Sequence, residues 1–157
     1  MKKKILFLCT GNYYRSRFAE HLFNHWATKR ELNWQANSSG LALEMGTNNV
    51  GAISWYAVAE LKIRGVSLPE NERFPQPALI EDFQTADMII ALDETEHRPM
   101  ILDRFPQWTD TVQYWLIHDA HITLPPEALR QLEKKVVQLI EELAQNEKGV
   151  GCREPHT

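Results

Sequence analysis

The sequence predicts a three-layer α/β/α fold, in which helices cover both faces of a four-stranded, parallel, doubly wound sheet. Short apolar segments that suit buried strands alternate along the chain with segments whose apolar residues repeat at helical spacing. This alternation is typical of parallel strands joined by right-handed crossovers. With 157 residues, 43% of them hydrophobic, the chain can bury one core, so we expect residues 1–157 to form a single domain.

Four segments have the composition of strands. Lys4–Leu8 is an almost continuous apolar run, which predicts a strand buried on both faces. Trp34–Ser38 predicts a shorter second strand, which ends in Ser38-Ser39-Gly40. Asp87–Leu92 predicts a central third strand, and Thr111–Ile117 predicts the fourth.

Helical periodicity follows three of these strands. Ser16–Lys29 predicts an amphipathic helix, and Ala52–Arg64 a second helix that ends before Gly65, a residue suited to a helix C-terminus. Pro125–Ala144 predicts a long terminal helix, because its apolar residues recur at three- and four-residue intervals.

The connecting segments carry their own signals. Asp93 is expected to cap a further helix, with Glu96 at the spacing of a capping box. Leu41–Val50 contains glycine and asparagine and predicts a loop, whereas the proline-rich Ser67–Pro77 predicts irregular structure. The tail after Gln145 is expected to be frayed.

The junction between the first strand and the first helix carries most of the functional information. It reads Cys9-Thr10-Gly11-Asn12-Tyr13-Tyr14-Arg15-Ser16. A thiolate is a strong nucleophile, and a guanidinium separated from it by five residues can hold two oxygens of one oxyanion. The helix start favours both a bound anion and the thiolate form of the cysteine. Spacing alone favours a phosphate-binding loop over an ordinary turn in which Gly11-Asn12 serves only the bend.

These eight residues resemble the N-terminal motif of low-molecular-weight protein tyrosine phosphatases and of their arsenate-reductase relatives. The resemblance covers nearly the whole chain in the family's order. Its later matches are Ser38-Ser39-Gly40, Arg64-Gly65-Val66, Asp87–Asp93 and Asp119.

The resemblance implies a phosphatase that acts on phosphate monoesters, with protein phosphotyrosine as the first choice of substrate. Cys9 would attack phosphorus and form a phosphocysteine intermediate, Arg15 would hold the phosphate oxygens, and Asp119 would act as general acid. Asn12, Ser16 and Ser38 would support the loop. The implied phosphate-binding residues are Thr10, Gly11, Asn12, Tyr13, Tyr14, Arg15 and Ser16. No metal or other cofactor is required, because arginine and backbone amides neutralise the phosphate.

Some positions depart from the family pattern. Asp119 is followed by Ala120 where proline is usual, and Tyr14 stands where many members carry a second cysteine. Arg17 replaces a proline and is expected to add positive charge at the edge of the site. Glu70 falls near a position where relatives often have histidine, so the bracing of the loop is expected to differ.

The aromatic walls that flank the cysteine in phosphotyrosine-specific relatives are also missing. The corresponding segments read Leu41-Ala42-Leu43-Glu44 and His121-Ile122. Tyr13 either takes over part of a wall or packs against the sheet, and the sequence leaves both open.

Two other functions fit the same loop. An arsenate reductase that hands its product to an external small thiol needs only Cys9, whereas versions with internal thiols need cysteines that residues 80–110 lack. Cys152 is a poor resolving thiol, since it lies far from the loop in sequence. A catalytically weak module that only binds phosphate or phosphoproteins is the second alternative. A metal site at His118, Asp119 and His121 is disfavoured, because no fourth ligand is evident.

Charge and hydrophobicity exclude some classes of binding partner. A net charge of −4 without a basic stripe argues against nucleic acid, and no apolar run reaches the roughly 20 residues of a membrane span. Lys2-Lys3-Lys4 precedes an apolar run too short for a signal peptide. Two cysteines make no disulfide framework, which predicts a cytoplasmic protein. The expected ligands are a phosphorylated protein or small phosphate monoester, inorganic phosphate and other oxyanions.

Overall fold

The computed structural model of the chain describes residues 1–119 and 122–153, with side chains as far as residue 147. Four strands form one sheet in the order β2-β1-β3-β4, and every neighbouring pair is parallel. The strands are β1 (Lys3–Cys9), β2 (Trp34–Gly40), β3 (Met88–Ala91) and β4 (Gln113–Tyr114).

Five α-helices connect and follow the strands within the described residues. They are α1 (Arg15–Lys29), α2 (Trp55–Ile63), α3 (Ile80–Thr85), α4 (Glu94–Arg104) and α5 (Pro125–Arg153). Two short 3₁₀ helices, Leu43–Gly46 and Pro106–Trp108, lie in the connections. None of the described helices is both long and apolar enough to cross a membrane.

Alternate side chains of β1 enter two separate cores, one on each face of the sheet. Ile5 and Phe7 belong to a core built with α1, α2 and α5. Leu6 and Leu8 belong to a second core, which includes Phe83 of α3 and Ile101 of α4. A strand buried on both faces has this continuous apolar composition. The predicted three-layer α/β/α fold is therefore confirmed.

The register of the sheet places the carboxyl ends of its central strands together. Cys9, the last residue of β1, pairs with Gly40, the last residue of β2. A Cβ atom on Gly40 would lie 2.9 Å from the backbone oxygen of Thr10, so no larger residue fits beside the loop. The loop after β1 thus emerges at the edge where parallel α/β sheets bind ligands.

The fourth strand and the second helix are shorter than predicted. Of the predicted Thr111–Ile117, only Gln113–Tyr114 pairs regularly with β3, because β3 itself ends at Ala91. The N–H groups of Trp115 and Ile117 still donate to the carbonyls of Ala91 and Leu92, and the Ile117 carbonyl accepts from Arg15. Instead of beginning at Ala52, α2 begins at Trp55, because the Ser54 hydroxyl accepts a hydrogen bond from the Tyr56 N–H and caps the helix there.

Other connections differ in part from expectation. The predicted loop Leu41–Val50 contains one turn of 3₁₀ helix, and the short helix α3 was not predicted. Ser67–Pro77 is irregular, as expected, apart from one bridge between Pro77 and Gly40. The tail after Gln145 was expected to be frayed, but α5 continues to Arg153; residues 154–157 lie outside the described residues.

Candidate active site

The loop between β1 and α1 turns on one residue in a left-handed backbone conformation. Asn12 has a φ angle of 50° and is fully buried. Asparagine tolerates this conformation better than most residues, but the left-handed region still costs roughly 1–2 kcal/mol and needs support from its surroundings.

Four hydrogen bonds fix the orientation of the Asn12 side chain. Its Oδ1 accepts from Nη1 of Arg73 at 2.9 Å and from the backbone N–H of Gln76 at 3.1 Å. The opposite end of the amide, Nδ2, therefore donates both of its hydrogens, to Ser16 Oγ at 2.8 Å and to Ser38 Oγ at 2.9 Å.

This orientation makes both serine hydroxyls acceptors of a hydrogen bond from Asn12. Ser38 Oγ accepts from Asn12 and donates to the carboxylate of Glu20. Ser16 Oγ also accepts from Asn12 and lies 2.9 Å from Sγ of Cys9, and either of these two atoms can be the donor between them. Cys9 is only 2% exposed. The network thus places a hydroxyl beside a buried sulfur, in a position from which it can donate to the thiolate that a nucleophilic attack requires.

Arg15 closes the loop from the first residue of α1. Its side chain is buried, with Nη1 donating to the carbonyl of Ile117 at 2.9 Å and Nη2 to Glu96 at 2.9 Å. A carboxylate oxygen of Asp93 lies 3.7 Å from Nη1. Burial lowers the pKa of Arg15, but the charges of Cys9, Glu96 and Asp119 outweigh it and raise that pKa overall. The guanidinium therefore remains charged and oriented.

Asp119 lies on the same side of the loop as the cysteine. Its Oδ1 is 3.9 Å from Nε of Arg15, and its side chain is 38% exposed. Asp119, Cys9 and Arg15 all line one cleft of about 120 Å³. The structure therefore brings the three predicted catalytic residues together, although Asp119 is far from Cys9 and Arg15 in the sequence.

The first wall of the cleft was expected at Leu41-Ala42-Leu43-Glu44, but other residues form it. Leu41 and Ala42 are buried, and Met45, Gly46 and Asn49 line the cleft instead. The second wall was expected at His121-Ile122. His121 lies outside the described residues, and Ile122 is exposed.

The two loop tyrosines have different environments. Tyr13 lines the cleft, and its hydroxyl donates to the carbonyl of Val50 at 2.5 Å. Tyr14 also borders the cleft, but it is buried in the core with its hydroxyl directed at the carbonyl of Pro125 at 3.5 Å. Burial raises the pKa of Tyr14 well above its usual range. Tyr13 therefore replaces part of a wall, whereas Tyr14 is mainly a packing residue.

The expectation that Arg17 adds charge at the edge of the site was wrong. Arg17 is fully buried, and Nη2 donates to Glu72 at 2.6 Å. Nη1 donates to the carbonyl of Ala52 at 2.9 Å and, at 3.3 Å, to the carbonyl of Asn12. The residue is neutralised by Glu72 and joins the loop to two neighbouring segments.

Sequence reasoning missed three residues that contact the loop network. Arg73 and Glu20 brace Asn12 and Ser38, and Glu96 contacts Arg15. Glu70, the position where altered bracing was expected, is exposed, and the bracing comes from Arg73 nearby. A sequence signal existed for Glu20, which follows Ser16 by one helical turn, but not for Arg73, which lies in the irregular segment.

The histidines near Asp119 do not form a metal centre in the described part of the chain. Nδ1 of His118 lies 2.9 Å from a carboxylate oxygen of Asp93, and His121 lies outside the described residues. Among the residues that the structure describes, no group of three or more His, Cys, Asp or Glu side chains could hold a metal ion. The side chain of Cys152 also lies outside them.

Comparisons with known proteins agree with this geometry. Residues 4–148 match the family model of low molecular weight phosphotyrosine protein phosphatases. Among solved structures, YfkJ from Bacillus subtilis is 21% identical, with a TM-score of 0.77 over 93% of this chain and 97% of that one. At this identity, the similarity shows a shared fold.

Two curated proteins are similar in sequence. The protein-arginine-phosphatase of Bacillus subtilis strain 168 is 30% identical over 109 residues, which is 69% of this chain and 67% of that protein. The low molecular weight phosphotyrosine protein phosphatase of Sus scrofa is 33% identical over 101 residues, or 62% of this chain. The match spans 60% of the pig protein's length. Because the family model covers nearly the whole sequence, the chain belongs to the low molecular weight phosphotyrosine protein phosphatase family and is an enzyme of that phosphatase class.

Proposed function

We propose that this protein removes phosphate from protein phosphotyrosine through a phosphocysteine intermediate on Cys9. The observation that carries the proposal is the Ser16 hydroxyl, which lies 2.9 Å from the buried Cys9 sulfur inside a loop closed by Arg15. A buried sulfur that receives a donated hydrogen bond suits a nucleophile that must be ionised before it attacks.

In the first step, the Cys9 thiolate attacks phosphorus. A sulfur–phosphorus bond forms, the ester P–O bond breaks, and Asp119 gives its proton to the departing oxygen. Arg15 and the loop N–H groups stabilise the charge on the equatorial phosphate oxygens as the transition state forms. The binding contacts assigned here are those of Thr10, Gly11, Asn12, Tyr13, Tyr14, Arg15 and Ser16.

In the second step, water replaces the cysteine. The Asp119 carboxylate takes a proton from water, the water oxygen attacks phosphorus, and the sulfur–phosphorus bond breaks. Asp119 is exposed enough for water to reach it, with 38% of its side chain accessible. Ser16 then donates to the departing thiolate, and inorganic phosphate leaves the cleft. Because a disulfide at Cys9 would stop turnover, we also propose a reducing, cytoplasmic location.

One prediction concerns the nucleophile. Cys9→Ser should abolish hydrolysis of p-nitrophenyl phosphate at mildly acidic pH without added metal, because an alcohol is not ionised there. Cys152→Ser, the change at the chain's other cysteine, should leave the rate unchanged. If the unaltered enzyme instead reduces arsenate with an added thiol and barely hydrolyses the ester, the reductase alternative replaces the proposal. Phosphate binding with neither activity would favour a binding module.

A second prediction concerns the general acid. Asp119→Asn should lower kcat/KM for phenyl phosphate by roughly 10²–10⁴-fold, because kcat/KM reports the first step and the amide cannot protonate the leaving oxygen. The loss should be smaller for p-nitrophenyl phosphate, whose leaving group needs little protonation. Asp103→Asn, at a side chain that is 82% exposed, is the control. An equal loss on both esters would argue against this role.

A third prediction concerns the bracing of the loop. Arg73→Met removes a donor to Asn12 Oδ1 and the pairing with Glu20, so the left-handed turn loses support. We expect kcat to fall about tenfold, since roughly 1.4 kcal/mol of barrier corresponds to that factor. Arg30→Met, which removes a partly exposed pair with Glu141, should change kcat less than twofold. An unchanged kcat in Arg73→Met would show that the hydrogen bonds of Asn12 with Gln76, Ser16 and Ser38 are sufficient to hold the left-handed turn.

A fourth prediction concerns the phosphorylated residue. The family and the pig relative support phosphotyrosine, whereas the Bacillus relative supports phosphoarginine as the second candidate. Tyr13 and Met45 beside the cleft provide apolar surface suited to an aromatic ring. We expect a higher kcat/KM on a phosphotyrosine peptide than on a peptide of the same sequence with phosphoarginine. The reverse order would assign the enzyme to phosphoarginine and leave the Cys9 chemistry intact.

A further inference from the structure

Glu96 lies against both ends of the phosphate-binding loop. One of its oxygens, Oε2, accepts from Arg15 Nη2 at 2.9 Å and from the Thr10 hydroxyl. Nε2 of His97 lies 3.1 Å from the same oxygen. Thr10 directly follows the nucleophile, and Arg15 closes the loop. A single carboxylate oxygen therefore holds the two residues between which the phosphate is expected to bind.

The ring of His97 is a donor to this carboxylate. Its Nδ1 accepts from the backbone N–H of Asp93 at 3.0 Å, so the proton is on Nε2, which faces Glu96. His97 is fully buried, and burial lowers its pKa, which keeps the ring neutral. Glu96 thus receives hydrogen bonds from a guanidinium, a hydroxyl and a neutral imidazole.

These contacts keep Glu96 ionised. Burial raises the pKa of Glu96, but the hydrogen bonds from His97, Thr10 and Arg15 and the charge of Arg15 outweigh burial and hold that pKa well below its usual range. Glu96 therefore carries its negative charge throughout the mildly acidic to neutral range in which the enzyme would work.

Three carboxylates lie within 4 Å of the Arg15 guanidinium, in a site that is proposed to receive a phosphate dianion. Besides Glu96, Asp93 lies 3.7 Å from Nη1 and Asp119 lies 3.9 Å from Nε. Asp93 supports the guanidinium from a fully buried position, and Asp119 has a role as proton donor. Glu96 is only 22% exposed, so solvent screens its charge incompletely.

We propose that Glu96 is a positioning residue with a second effect: it holds Thr10 and Arg15 in place, and its charge weakens the binding of phosphate so that the product leaves readily. The inference rests on the proposed function, because it concerns the same loop and the same oxyanion. It assigns two separable properties to one carboxylate, namely hydrogen-bond acceptance and charge.

Two substitutions separate these properties. Glu96→Gln keeps an oxygen acceptor for Arg15 and Thr10 and removes the charge, whereas Glu96→Ala removes both. Glu94→Gln is the matched control, since Glu94 lies on the same helix, is 51% exposed and pairs with Arg98 away from the loop. Binding of inorganic phosphate and of vanadate is measured by titration calorimetry at low and high ionic strength, and kcat and KM are measured separately.

We expect Glu96→Gln to bind both oxyanions roughly three- to tenfold more tightly than the unaltered protein at low salt, with the difference shrinking at high salt. KM should fall, and inhibition by phosphate should strengthen. Glu96→Ala should in addition lower kcat, because Arg15 and Thr10 lose their acceptor. Glu94→Gln should change none of these values.

Equal or weaker oxyanion binding by Glu96→Gln would overturn the inference. The binding measurement does not depend on turnover. If the unaltered protein hydrolyses no phosphate ester but Glu96→Gln still binds phosphate more tightly, the proposed function fails while the role of Glu96 stands.

Discussion

The four hydrogen bonds of the Asn12 side-chain amide fix the arrangement of the groups around the loop. Arg73 and Gln76 donate to its oxygen, and this fixes its nitrogen as the donor to Ser16 and Ser38. The same orientation makes the Ser16 hydroxyl an acceptor from Asn12 and holds that hydroxyl beside the Cys9 sulfur. The same contacts offset the cost of the left-handed turn. A buried polar network of this kind is stable because each of these amide and hydroxyl groups has a partner.

The two buried arginines Arg15 and Arg17 form ion pairs that hold the loop between β1 and α1. Arg17 is fully buried against Glu72, and its guanidinium also contacts the carbonyl of Asn12. Arg15 is held by Asp93, Glu96 and the Ile117 carbonyl. Removing one partner of such a pair would leave an uncompensated charge, which is costly in a buried environment. These contacts connect the loop and the first turn of α1 to residues 52, 72–73, 93–96 and 117.

Much of the fold could be predicted from the sequence because its signals are local. The apolar run of β1 and the long periodic pattern of α5 identify those elements without any knowledge of their neighbours. Helix α3 escaped prediction because six residues give too little periodicity. The last predicted strand was too long because the regular pairing with β3 ends at Tyr114, although Trp115 and Ile117 still donate to the carbonyls of Ala91 and Leu92.

The site was predictable to the extent that it lies in one segment. Cys9, Arg15 and Ser16 are close in sequence, whereas Arg73 comes from an irregular segment with no pattern to mark it. At Glu96, the capping-box rule predicted the helix start but not the contact of the side chain with Arg15. Asp93 does cap α4 by accepting from the Glu96 N–H, but the Glu96 side chain does not complete the capping box. It turns to Arg15, a contact between residues 81 positions apart that no local rule detects.

The central claim is that Cys9 carries the phosphoryl group during turnover. The most direct test is to quench the Asp119→Ala variant during reaction with a phosphate ester and map any phosphoryl adduct by mass spectrometry under conditions that preserve phosphocysteine. The account predicts that the adduct is on the peptide that contains Cys9 and that it disappears once the ester is exhausted. Turnover without an adduct, or with an adduct on another residue, would contradict it.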